Sequence, residues 1–175
     1  MSKAFTRESD DTPDLPILRR PSSSLPPGVP NYVTPDGAQR LRDELERLVQ
    51  VERPALQEQH GADEIKERLQ RLDLKIRQLE EILQSIVIVP PPSPGEEHIR
   101  FGATVAVRDS SGEESCYRIV GVDETDIDRG WISWLSPLAK ALLNARVGDR
   151  VRFRLPAGER ELEILRVRCE TGGGD

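Results

Sequence analysis

Asp63 and Glu64 follow His60 and Gly61 at the point where two long helical patterns meet. Paired carboxylates at the end of a narrow projection can help to hold Mg²⁺ in another protein's active site, because hard cations take oxygen ligands. The same two residues would equally serve as an N-cap and a first-turn acid, where negative charge suits the helix dipole. A second acidic stretch, Asp123-Glu124-Thr125-Asp126-Ile127-Asp128, lacks the ligand number and the glycine of an EF-hand loop and reads as a solvated loop. Ser136-Pro137 has the cap-plus-proline form that opens a short helix, here Leu138–Asn144. Trp131 and Trp134 stand three apart, so a strand would put them on opposite faces, one in the core and one exposed as an interface residue. His60 and His98 stand alone, and no nucleophile–base arrangement or phosphate-cradling glycine loop can be assembled. Neither an enzyme centre nor a metal site of the chain's own is expected. Cys116 and Cys169 form no CxxC and are expected as reduced thiols.

Positioning these groups falls to two helices and a small sheet domain. Residues 1–31 read as a disordered tail, with Pro13, Pro16, Pro21, Pro26, Pro27 and Pro30 around Ser22-Ser23-Ser24. The first helix starts at Thr34-Pro35-Asp36, a cap followed by proline at the first helical position. Leu41, Leu45 and Leu48 form its apolar stripe, and Pro54 must kink or end it. After Gly61 a second helix runs from about Asp63 to Ser85, with Ile65, Leu69, Leu72, Ile76, Leu79, Leu83 and Ile86 alternating at spacings of four and three. A heptad seam of this kind demands a helical partner. The first helix is the nearest one, giving an antiparallel coiled-coil hairpin over 32–89. A parallel homodimer through the second helix is the competing arrangement, but it has no use for the Gly61 break.

Ile86-Val87-Ile88-Val89 reads as a strand, and 90–98 as a stiff proline-rich linker. Beyond it the period changes to two. Thr104–Arg108, Tyr117–Val120, Trp131–Trp134, Val151–Arg154 and Glu161–Arg168 are predicted strands, which with one short helix make an α+β domain over 99–170. Gly102, Gly112, Gly121, Gly130, Gly148 and Gly158 sit singly at predicted turns, where permissive φ is useful.

The 175 residues suit one or two small domains plus tails, and 32 % charged with only 4 % aromatic residues fits a long solvated helical element. A net charge of −6 disfavours binding to free nucleic acid, although an acidic protein can dock on a basic groove of a larger machine. No apolar leader and no run long enough to cross a membrane occurs, so the expectation is a cytoplasmic chain with no membrane partner.

The segment Asn31-Tyr32-Val33-Thr34-Pro35-Asp36-Gly37, with Leu41, Glu44-Leu45 and Arg53-Pro54 after it, resembles the start of the Gre family of bacterial transcript-cleavage and elongation factors. Phe101-Gly102-Ala103-Thr104-Val105, Tyr117-Arg118-Ile119-Val120-Gly121, Asp123-Glu124, Ile132-Ser133, Ser136-Pro137-Leu138-Ala139-Lys140-Ala141-Leu142-Leu143 and Gly148-Asp149 resemble the family's C-terminal half. Ser2-Lys3-Ala4-Phe5-Thr6 and Leu25-Pro26-Pro27-Gly28 look like its GreB branch with an N-terminal extension. The resemblance implies an N-terminal coiled coil and an FKBP-like C-terminal domain. It implies RNA polymerase as partner, with the C-terminal domain at the rim of the secondary channel, Ser136 and Pro137 among its contacts, and the coiled coil inside. Nucleic acid is then met only within that complex, and a monomer suffices. In cleaving members two tip carboxylates help to place the polymerase's Mg²⁺ and a water, so the factor stimulates rather than catalyses and needs no cofactor of its own.

The tip departs from that pattern. Cleaving members carry Gly-Asp-Leu-Ser-Glu-Asn-Ala-Glu-Tyr or a near relative there, whereas this chain passes from Arg53-Pro54 through His60-Gly61 to Ala62-Asp63-Glu64-Ile65. The arm looks shorter by roughly ten residues per helix, on the order of 15 Å of reach. Two functions therefore stand open: elongation control that includes cleavage of backtracked RNA through Asp63 and Glu64, or a short-armed regulator similar to the family's nucleoside-kinase regulator branch. An FKBP-like prolyl isomerase or chaperone is a third, for which the domain offers few pocket aromatics.

Overall fold

The structure is a computed structural model, and it describes residues 25–59, 62–93 and 95–168. The expected tail over 1–24, the His60-Gly61 break and Cys169 lie outside the described residues. The expected tail reaches residue 31, yet the described chain already makes a turn at residues 27–28, and Asn31 is buried in strand β1 (Asn31–Val33). The strand pairs in parallel with β2 (Ile86–Ile88) through Asn31↔Ile86, Tyr32↔Val87 and Val33↔Ile88.

Helix α1 (Pro35–Arg47) begins as the sequence dictates. Thr34 is its N-cap, the hydroxyl accepts from the Gly37 amide at 3.0 Å, and Pro35 opens the first turn. Pro54 does not end the helix. A π-helical turn over Leu48–Glu52, in which the Arg53 amide donates to the Leu48 carbonyl, carries the chain into α2 (Arg53–Gln57). The wider turn makes room for the ring and for the ladder bond that proline cannot donate.

Helix α3 (Ala62–Ser85) lies along α1 and α2. Leu48, Leu72 and Leu79 are buried between them, with Leu41, Leu45, Leu56 and Ile76 packed around. Off the seam, Leu74 is 54 % exposed. Arg53 meets Asp73 at 2.8 Å and Lys75 meets Glu44 at 2.6 Å, so α3 runs back along the first helical stretch.

The remaining strands form one five-stranded sheet in the order β5-β4-β3-β7-β6. These are β3 (Thr104–Asp109), β4 (Glu114–Val120), β5 (Trp131–Ser133), β6 (Arg150–Leu155) and β7 (Gly158–Arg168). Pairing is antiparallel except for β4 with β5, and β3 shifts register against β7 between Ala106 and Val107. The β3–β4 turn is held by Asp109, whose Oδ1 accepts from the Ser111 amide and hydroxyl and the Glu113 amide. The Ser111 hydroxyl contributes most to lowering its pKa. Alternation puts Val105, Val107, Ile119, Val151, Leu162 and Ile164 into one core with Ala139 and Leu142 of α4 (Pro137–Leu142). The chain is thus α+β. The short helix ends two residues earlier than its apolar pattern suggests, and Asn144 takes a left-handed φ of 68° beyond it.

Two outcomes test the helix packing. Leu72→Asp places an unpaired carboxylate in the buried seam; helical circular dichroism is expected to fall while amide hydrogen-exchange protection of β3, β6 and β7 stays native. Glu44 is held below its ordinary value of 4.5, first by the hydrogen bond from Lys75 and then by that from Arg47. A depressed carboxyl contributes stability above its unfolded pKa and loses it as pH falls through the folded value. Thermal midpoints of the helices are therefore expected to drop below pH 4.5, and Glu44→Gln should flatten that part of the pH profile.

Candidate functional site

The described residues join the helices to the sheet domain around Glu124, the last residue of a 3₁₀ turn over Val122–Glu124. Its side chain is 2 % exposed. Carboxylate burial is costly unless each oxygen finds donors. Here Oε2 accepts from the amides of Thr34 and Gly121, both at 2.9 Å. Oε1 accepts from the Thr34 hydroxyl, and the Arg40 guanidinium lies 3.5 Å away. One hydroxyl therefore caps α1 through Gly37 and donates across the junction to Glu124.

The acidic stretch is accordingly not a solvated loop throughout. Glu124 is buried, and Asp123 accepts from the Asn31 side-chain amide at 3.2 Å. The protein's own donors take the place of water.

Two glycines make room for this arrangement. A Cβ on Gly37 would lie 1.8 Å from Glu124 Oε1, and its three nearest atoms all belong to Glu124. A Cβ on Gly121 would lie 2.2 Å from the Tyr32 carbonyl oxygen. Gly121 has φ −65°, so what it supplies is space and not the permissive φ expected of a turn glycine.

Aromatic contacts complete the junction. The Tyr32 ring packs edge-on to Phe101 at 6.1 Å and tilted on Trp134 at 5.0 Å. Trp134 follows β5 in a turn, so strand alternation does not separate the two tryptophans. Both are half-buried: Trp134 packs against the sheet core, and Trp131 lies under the guanidinium groups of Arg40, Arg118 and Arg129 at 4.7–5.3 Å. Arg118 also reaches Asp36 at 3.5 Å, beside a shallow cavity lined by Thr34, Pro35, Val89, Pro91 and Gly102.

The expected site residues lie on separate elements. Asp63 and Glu64 are exposed in the first turn of α3, which begins at Ala62. Both are inside helical geometry, about 100° apart in projection. Ser136 is the N-cap of α4, accepting from the Ala139 amide at 3.2 Å, and Pro137 is exposed at the first helical position. Among the described residues no group of three or more His, Cys, Asp or Glu side chains could hold a metal ion. No described helix is long and apolar enough to cross a membrane. Cys116 is a free, exposed thiol.

A family model described as transcription elongation factor GreA/GreB, C-terminal, matches residues 94–169. Transcription elongation factor GreB of Neisseria meningitidis is 39 % identical over 151 residues, covering 78 % of this chain and 93 % of that protein. The chain belongs to the GreA/GreB family. GreA of Alkalilimnicola ehrlichii is 38 % identical, with 78 % of this chain and 96 % of that protein covered. Among solved structures, GreA factor homolog 1 of Thermus thermophilus is 29 % identical over 80 % of this chain and 99 % of its own, with a TM-score of 0.38. In the Neisseria match the 151 aligned positions take up only 78 % of 175 residues. The relative therefore has positions inside the matched span that this chain lacks.

Thr34→Val keeps the shape of the side chain but removes both the helix cap and the donor to Glu124. Loss of a cap together with a buried acceptor left short is expected to cost about 2–4 kcal/mol, read as a lower midpoint in urea unfolding.

Proposed function

We propose that this chain binds RNA polymerase at the secondary channel and modulates elongation without stimulating transcript cleavage. In this reading residues 32–89 are an antiparallel coiled-coil arm, 90–98 a linker and 99–170 an FKBP-like docking domain at the channel rim. The supporting relatives carry the name transcription elongation factor. Packing of α1 and α2 against α3 covers the heptad seam within one chain, which suits a monomer.

The start of α3 carries the functional distinction. Because the helix begins at Ala62, Asp63 and Glu64 diverge and do not converge on one ion. An arm of 24 helical residues reaches about 36 Å. Metal and proton chemistry needs placement within about 3 Å, so a deficit on the order of 15 Å cannot be recovered by side-chain motion. The positions this chain lacks relative to its Neisseria relative agree with a shorter arm. The polymerase's Mg²⁺ then stays out of reach of Asp63 and Glu64, while the chain still occupies the entry that a cleaving relative needs.

Docking is assigned to Ser136, Pro137 and the apolar groups around them. Pro137→Ala combined with Ser136→Asp keeps a capping residue and adds a charge to the contact; polymerase affinity should fall while circular dichroism stays native, and unchanged affinity would remove the assignment.

RNA cleavage in purified backtracked complexes tests the reading as a whole. The chain is expected to bind polymerase, to leave the cleavage rate at its basal level, and to slow cleavage driven by an added GreB. Strong cleavage by this chain, lost in Asp63→Ala with Glu64→Ala, would overturn it.

A further inference from the structure

We propose that Glu124 is a positioning residue: it fixes the direction of the α1–α3 arm relative to the sheet domain, and Gly37 is required only because that carboxylate occupies the space beside it. This rests on the proposed function for its consequence, since an arm that enters a channel must leave the docking domain at a set angle. The geometric claim itself concerns the free protein.

Glu124 accepts from the amide and hydroxyl of Thr34, the residue at which α1 begins, and from Gly121 on its own side of the junction. Two bonds to a single residue restrain both where the helix starts and how it is rotated. Arg40, nearly two turns further along α1, sits 3.5 Å from the same carboxylate and 4.7 Å above the Trp131 ring. Asn31, on the other side of Thr34, donates to Asp123. The acidic pair thus grips the chain before, at and after the start of α1. Gly37 lies against Glu124 so closely that even a methyl group cannot be added without displacing the carboxylate. Helix interiors ordinarily favour alanine over glycine, so a glycine in the first turn, facing a buried carboxylate, marks a contact and not a conformational need.

The sign of one substitution separates this role from generic stability. Gly37→Ala in the native chain is expected to lower the thermal midpoint and displace the arm. With Glu124→Ala the obstructing atoms are gone, and the same Gly37→Ala change should become neutral or stabilising, as helix propensity alone dictates. Residual dipolar couplings of backbone amides read the arm's direction in the full chain. In the native protein α3 and the sheet should fit one alignment tensor. In Gly37→Ala and in Glu124→Gln each element should fit internally, proving that it is folded, but a common tensor should fail. On polymerase, both variants should bind more weakly than the native chain, because a misdirected arm no longer enters the channel with the sheet domain docked, and should slow GreB-driven cleavage correspondingly less. A common tensor retained in both variants, or a Gly37→Ala effect of the same sign with and without Glu124, would overturn the inference and leave the proposed function standing. If the native chain does not bind polymerase, the proposed function fails, and the couplings still decide the role of Glu124.

Discussion

A carboxylate removed from water must be given donors, and the chain meets that demand at Glu124 with groups drawn from both halves of the molecule. The requirement propagates outward. Thr34 must present its amide and hydroxyl together, which it does only as an N-cap in extended conformation, at φ −74° and ψ 156°. Pro35 then stands at the first helical position, Gly37 must lack a side chain, and Gly121 must allow the Tyr32 carbonyl to approach. The parallel β1–β2 pair ties the start of α1 to the end of α3. Both ends of the helical unit are therefore anchored beside the buried carboxylate.

Beyond the junction the helical unit depends on little more than its own seam. Leu48, Leu72 and Leu79 carry the burial, and the ion pairs around them are largely exposed and contribute modestly. Such an element has no large core to hold it in place, so its direction is set at its root. The π turn before Pro54 shows the same economy, because it lets the helix pass the proline and keep Leu56 in the packed cluster. At the far end, a helix beginning at Ala62 puts adjacent acids on diverging directions, and on the proposed reading this is what separates occupancy of the channel from cleavage within it.

Much of this was legible in the sequence, for local reasons. The Thr34-Pro35 cap, the four-three spacing through α3 and the period-two strands of the C-terminal half each follow from neighbours in the chain. The five strands appear where alternation placed them, with edges shifted by a few residues. What was not legible depends on residues far apart. Thr34 and Glu124 are 90 positions apart, and an acidic loop offers no sign that one of its members is buried. The Asp123-Glu124 pair stood out only through resemblance to the family. Gly121 reads as a turn glycine because sequence alone does not separate a need for positive φ from a need for space. Asn31 reads as part of the tail because a three-residue strand without its distant partner has no readable pattern. The sequence pattern puts the start of α3 within a residue of Ala62, and that single residue decides whether Asp63 is helical.

The central claim is that a short arm, rooted at Glu124, occupies the polymerase channel without delivering a carboxylate to its metal. Electron cryomicroscopy of this chain bound to a backtracked elongation complex measures that directly, as the separation between the carboxylates of Asp63 and Glu64 and the active-site Mg²⁺. The account predicts the sheet domain at the channel rim and both carboxylates far outside the about 2.1 Å of direct Mg²⁺ coordination, with no single water bridging either of them to the ion. A map in which either acid coordinates the Mg²⁺, directly or through one water, would contradict it.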